Sequence, residues 1–145
     1  MKQKIIAVIG GSEADKHFYD FAYQVGKLIA AHSCIMICGG LGGVMEAAAK
    51  GAYENEGLII GILPGFEKKD ANPYISIPII TGLSTARNAI IARTCDIAVA
   101  IDGKYGTLSE IAYCLDFGKT VLGYQTHNID KVIPIKKPED IIKYL

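Results

Sequence analysis

Short unbroken apolar runs that alternate with amphipathic segments restrict this chain to very few folds. The runs Lys4 to Ile9, Cys34 to Cys38, Gly57 to Leu63 and Asp96 to Ile101 each end in a glycine-bearing turn. Apolar residues that run on, rather than alternate with polar ones, mark strands covered on both faces, as in parallel sheets. After the first run, Phe18, Phe21, Ala22, Val25, Leu28 and Ile29 recur at helical spacing, with Ser12 and Asp15 reading as the helix start. After the second, Val44, Ala47, Ala48, Gly51 and Ala52 set small residues on one helical side, suited to close packing on a sheet. Ser84 to Thr94 and Thr107 to Phe117 read as two further helices, the latter burying Leu108, Ile111, Ala112 and Leu115, and Thr120 to Tyr124 reads as a strand. Pro78 makes Tyr74 to Ile80 a short or edge strand, and Val132-Ile133 adds one more. Glu67 to Pro73 is a polar surface loop that, with Gly65 and Phe66, is a candidate flap, and Pro138-Glu139-Asp140 opens a terminal helix.

This order predicts one domain over residues 1–145, with an α/β, three-layer, Rossmann-like fold: a mostly parallel sheet and helices on both faces. Ligands of such sheets bind beyond the carboxyl ends of the strands, where the strand order reverses. The glycine clusters at 10–11, 39–43 and 103–106 all follow strands, so they converge on that edge.

Lys plus Arg and Asp plus Glu both number 15, half of the residues are hydrophobic and 21% are charged. That balance argues against disorder and against an electrostatic grip on nucleic acid, and for a small-molecule or protein partner. Met1-Lys2-Gln3-Lys4 leads into an apolar run too short for a secretory signal or a membrane span, so the expectation is a cytoplasmic protein without a membrane partner. Cys34, Cys38, Cys95 and Cys114 form no C-x-x-C pair and have no histidine at zinc spacing, so they read as buried thiols and no metal site is expected. His17, His32 and His127 are assigned no chemistry.

The stretch Asp102-Gly103-Lys104-Tyr105-Gly106-Thr107-Leu108-Ser109-Glu110 turns from a strand into a helix, a place where free N–H groups and the helix dipole favour a phosphate. It also puts a carboxylate, Glu110, in what reads as the first helical turn. T-x-x-E is equally a capping box, and from Thr107 and Glu110 alone the cap is the stronger reading. Other motifs fail. Gly118-Lys119-Thr120 lacks the first glycine of a phosphate loop and precedes a strand, while Gly40-Leu41-Gly42 has Met45 where a dinucleotide fingerprint needs its third glycine. No G-x-S-x-G elbow occurs, and no lysine comes with the constellation of a pyridoxal-phosphate decarboxylase.

The chain resembles the Lonely guy superfamily, Rossmann-like nucleotide-binding proteins often mislabelled as lysine decarboxylases. The hallmark P-G-G-x-G-T-x-x-E appears at 102–110 with Asp102 for its proline and Lys104 for its second glycine. The upstream Arg-Lys pair appears as Arg87-Asn88, and Gly39 to Glu46 and Ile59 to Pro64 also match. The short chain is most similar to a compact branch related to molybdenum-cofactor carrier proteins. The resemblance implies catalytic roles for Arg87 and Glu110. It implies a phosphate and nucleotide site at Gly11, Ser12, Gly39, Gly40, Gly42, Gly43, Gly103, Lys104, Tyr105, Gly106 and Thr107. No added cofactor is required for that chemistry. Two functions follow: hydrolysis of the N-glycosidic bond of a nucleoside 5′-monophosphate, or non-catalytic binding of a nucleotide or a phosphorylated cofactor such as molybdenum cofactor. Pairing into a homodimer or higher homo-oligomer through helices beside the site is also implied.

Overall fold

A computed structural model describes residues 2–145. Seven strands, β1 (Ile5–Gly10), β2 (Ile35–Cys38), β3 (Ile59–Leu63), β4 (Ile77–Ile80), β5 (Ile97–Ile101), β6 (Thr120–Tyr124) and β7 (Ile133–Pro134), form one sheet in the order β4-β3-β2-β1-β5-β6-β7. Every pairing is parallel, so the sheet is more uniform than the mostly parallel one expected. Both outer strands carry a proline, Pro78 and Pro134, in positions where a missing N–H is tolerated.

Strand periodicity divides the interior in two. Ile6 and Val8 of β1 and Ile97, Val99 and Ile101 of β5 face α1 (Lys16–Ala31) and α2 (Val44–Tyr53). Ala7, Ile9, Ala98 and Ala100 face α3 (Asn88–Thr94) and α4 (Tyr105–Asp116), and the alanines on this side let both helices lie close to the sheet. On the first side the two helices touch through glycines. A Cβ added at Gly26 would stand 1.9 Å from the Ala48 carbonyl oxygen, and one at Gly51 would stand 2.0 Å from that of Tyr23. The small-residue face read from the sequence therefore packs against α1 as well as the sheet.

Three local expectations are corrected. α1 is capped by Asp15, whose side chain accepts from the Phe18 N–H at 3.1 Å, so Ser12 lies in the loop before the helix. The segment 84–94 is a 3₁₀ turn, Ser84–Arg87, running into α3, because Ser84 sits at φ 54° and the chain tightens before the helix proper. The terminal segment Pro138–Tyr144 is 3₁₀ rather than α. The loop after β3 includes a short 3₁₀ turn, Lys68–Asp70, and is tied down by Asn72. That side chain donates to the Leu41 carbonyl at 2.9 Å, and its backbone N–H donates to the Gly40 carbonyl at 2.9 Å.

Among the described residues no helix is long and apolar enough to cross a membrane. All four cysteines are free and buried.

Candidate functional site

Strand order reverses between β1 and β5, and Gly10 pairs with Ile101, so the chain leaves both strands at one level. The two exits flank a cleft of about 480 Å³, within the range of small-molecule sites. Gly11 and Ser12 line one wall, and Gly103, Lys104, Gly106 and Thr107 the other, with Arg87 and Glu110 also lining the cleft. Sequence reasoning missed Leu41, Met45 and Pro64, which give the cleft an apolar side, and also Asn88, Ser84 and Thr85. Periodicity could not flag these, since each lines the site only because its loop or helix end reaches the same sheet edge.

The turn after β5 is built to expose donors. Asp102 at φ 52° and Gly103 at φ 105° swing the chain round so that α4 starts at Tyr105, and a Cβ at Gly103 would overlap the Thr107 side chain at 2.3 Å. Among the described residues none of the five backbone N–H groups from Gly103 to Thr107 has a partner, and no side chain caps the helix. The start of α4 at Tyr105 puts Thr107 inside the first turn and Glu110 beyond it, which rules out the capping box and corrects the placing of Glu110 in the first turn. Both side chains are nearly buried, Thr107 at 3% and Glu110 at 8% exposure.

Glu110 is the unusual group. Its carboxyl opens on the cleft, takes part in no ion pair, and has no hydrogen-bond partner among the described residues. Burial pushes it up to about 8, and the nearby Arg87 guanidinium opposes that shift only in part. Near neutral pH it is mostly a neutral acid, able to donate as well as accept.

Arg87 is a buried residue, only 8% exposed. Its Nε donates to the Ile62 carbonyl at 2.8 Å and its Nη2 to the Gly39 carbonyl at 3.3 Å, while Nη1 donates to Asn88 Oδ1. Burial lowers its pKa, with Glu110 countering. Asn88 in turn donates to Ser109 Oγ at 3.1 Å and to the Gly106 carbonyl at 3.5 Å, which joins α3 to the start of α4.

Other expected residues lie off the cleft. Gly39, Gly40, Gly42 and Gly43 do not line it; Leu41 and Met45 between and beyond them do. Gly43 lets two backbones meet, since a Cβ there would stand 2.3 Å from the Gly11 carbonyl oxygen, while Gly39 makes room for the Arg87 side chain, a Cβ there standing 2.6 Å from Nη2. Tyr105 is 87% exposed and points away to solvent.

The sequence pattern of the SLOG cluster4 family matches residues 3–143. The chain belongs to the SLOG cluster4 family. Its fold is that of a molybdenum cofactor binding protein from Rippkaea orientalis, at TM-score 0.94 and 35% identity over 99% of this chain and 96% of that one. It is also that of the molybdenum cofactor carrier protein of Chlamydomonas reinhardtii, at TM-score 0.85 and 31% identity over 99% and 96%. A rice (Oryza sativa subsp. japonica) protein named "probable cytokinin riboside 5′-monophosphate phosphoribohydrolase" is 28% identical over 113 residues, 75% of this chain and 50% of that longer one. The Lonely guy-like and carrier-like resemblance read from the motifs therefore holds for this SLOG chain.

Proposed function

We propose that this SLOG-family protein binds a phosphorylated nucleotide-like molecule in the cleft and carries it without cleaving it, with molybdenum cofactor as the ligand that fits the family likeness best. The observation that carries the binding is the run of five free N–H groups from Gly103 to Thr107, next to the Thr107 hydroxyl and the Lys104 charge. Such an array gathers on an anion at a helix start. The apolar side made by Leu41, Met45 and Pro64 suits a flat ring.

Two features support carrying over cleavage. Arg87 is fixed by three of its five N–H donors to two carbonyls and Asn88, and Glu110 is held largely neutral by burial. Cleaving an N-glycosidic bond builds positive charge on the sugar, which an ionised carboxylate would stabilise and a neutral one does not. The likeness to cofactor-binding and carrier proteins also runs the full length of the chain. The hydrolase is the second reading, supported by Arg87 and Glu110 lining one cleft and by the rice relative.

The experiment is to incubate the protein with molybdenum cofactor and, separately, with a panel of nucleoside 5′-monophosphates. The carrier reading expects saturable retention of the cofactor and no release of free base or ribose 5-phosphate. Base release that disappears in Glu110→Gln would establish the hydrolase instead. Pairing of two copies through α3 and α4 belongs to the same reading. Ile90 and Tyr113 remain exposed on those helices at 37% and 38%, and sedimentation velocity would show the pair directly. Four free cysteines support a reducing compartment such as the cytoplasm.

A further inference from the structure

The turn that presents the five free N–H groups is held in shape by residues outside the cleft. Asp102 at φ 52° occupies a left-handed conformation that residues other than glycine rarely adopt, and such a conformation persists only where its surroundings impose it. Three bonds from the end of β6 impose it here. The Asp102 N–H donates to the Tyr124 carbonyl at 3.1 Å, and the Thr126 hydroxyl donates to the Asp102 carbonyl at 2.6 Å. His127 Nε2 donates to the Lys104 carbonyl at 2.9 Å. That same carbonyl accepts the Leu108 N–H at 3.0 Å, the bond that begins α4, so His127 grips the helix at its first acceptor.

The segment supplying these bonds is itself anchored. Gln125 at φ 45° turns the chain between Tyr124 and Thr126, and the Tyr124 ring stacks on Phe21 of α1 at 3.6 Å and 5°. The Tyr124 hydroxyl meets His17 Nε2 at 2.6 Å. The first helix, whose entry loop forms one wall of the cleft, is thus linked to the turn that forms the other.

We propose that Tyr124 to His127 is a brace that sets the anion-binding turn, and that Thr126 and His127 are positioning residues for a bound phosphate although neither lines the cleft. This rests on reading that turn as the phosphate site. The physical reason is convergence. N–H groups on successive residues point at one anion only while Asp102 and Gly103 keep their left-handed angles, and both carbonyls that hold the turn from outside are bonded by this segment.

Inorganic phosphate is the probe, titrated into the full chain while the amide resonances of Gly103 to Thr107 are followed by NMR. The wild type should show saturable shifts. Thr126→Val and His127→Phe each remove one bond and should weaken phosphate binding by about tenfold, the usual scale for a lost hydrogen bond that positions a charged partner. Thr126→Ser keeps the hydroxyl and should restore wild-type affinity at an unchanged unfolding temperature, which a packing role for the methyl group would not predict. Equal affinities in the Val and Ser variants, with His127→Phe also unaffected, would overturn the brace and leave the phosphate site standing. A folded wild type that shows no saturable shift would overturn both.

Discussion

Gly106 stands in the first turn of α4, where alanine would be the better helix former, yet an added Cβ there would meet nothing within 4 Å. No packing in the fold calls for glycine at this position, and Gly106 lines the cleft. Gly106→Ala should therefore leave stability unchanged or raise it by up to about 1 kcal/mol, while weakening binding of a phosphorylated ligand. Thermal unfolding and equilibrium dialysis on the same variant would separate the two effects. Glu110 has a different signature. Its folded-state pKa is raised from 4.5 to about 8, so its contribution to stability is full below the ordinary value, fades as pH rises, and is gone above about 8. Glu110→Gln stays neutral throughout, so the unfolding temperature of the variant should gain on that of the wild type between pH 4.5 and 8 and hold its advantage above. Parallel pH profiles would show that Glu110 titrates as an ordinary carboxylate. From the motif alone Thr107 and Glu110 could be a cap, because a cap and a buried pair share the same spacing. What separated them was the left-handed turn at Asp102, which sets the first residue of the helix and cannot be read from periodicity.

At the scale of elements, α1 and α2 depend on two glycines that put backbone against backbone. Gly26→Ala and Gly51→Ala should each cost about 1–3 kcal/mol by overpacking, lowering the unfolding temperature by roughly 2–4 °C per kcal/mol in a chain of this size. Asp15→Ala, which removes the cap of α1, should cost about 1 kcal/mol. Denaturant unfolding with unchanged slope would check all three. The helices and strands were largely legible in the apolar spacing because each buries a face whose period differs. The junctions were less so. Ser12 has the chemistry of a cap, but Asp15 is the residue at the helix start. Arg87 looks like a surface residue of a helix, but the 3₁₀ turn before α3 carries its guanidinium inward to the Gly39 and Ile62 carbonyls.

For the molecule as a whole, the cleft exists because β5 returns to the side of β1 after three strands have been laid on the other. A ligand that binds only the folded state should stabilise it by about 2.7 kcal/mol at a hundredfold excess over its dissociation constant. Screening molybdenum cofactor and nucleoside monophosphates by thermal shift should reveal the ligand class, and Thr107→Val should reduce the shift for a phosphorylated ligand if the turn is its anchor. The residues themselves determined the alternation of strand and helix, the parallel sheet, the family, and the strand-to-helix turn from Asp102 to Glu110, because these follow from local spacing and chemistry. The tertiary structure decided which glycines line the cleft and which make room for neighbouring segments, that Arg87 is held by carbonyls, that burial raises the pKa of Glu110, and that His127 bonds the Lys104 carbonyl. Each of these depends on contacts between segments distant in the chain, and local pattern carries no record of them.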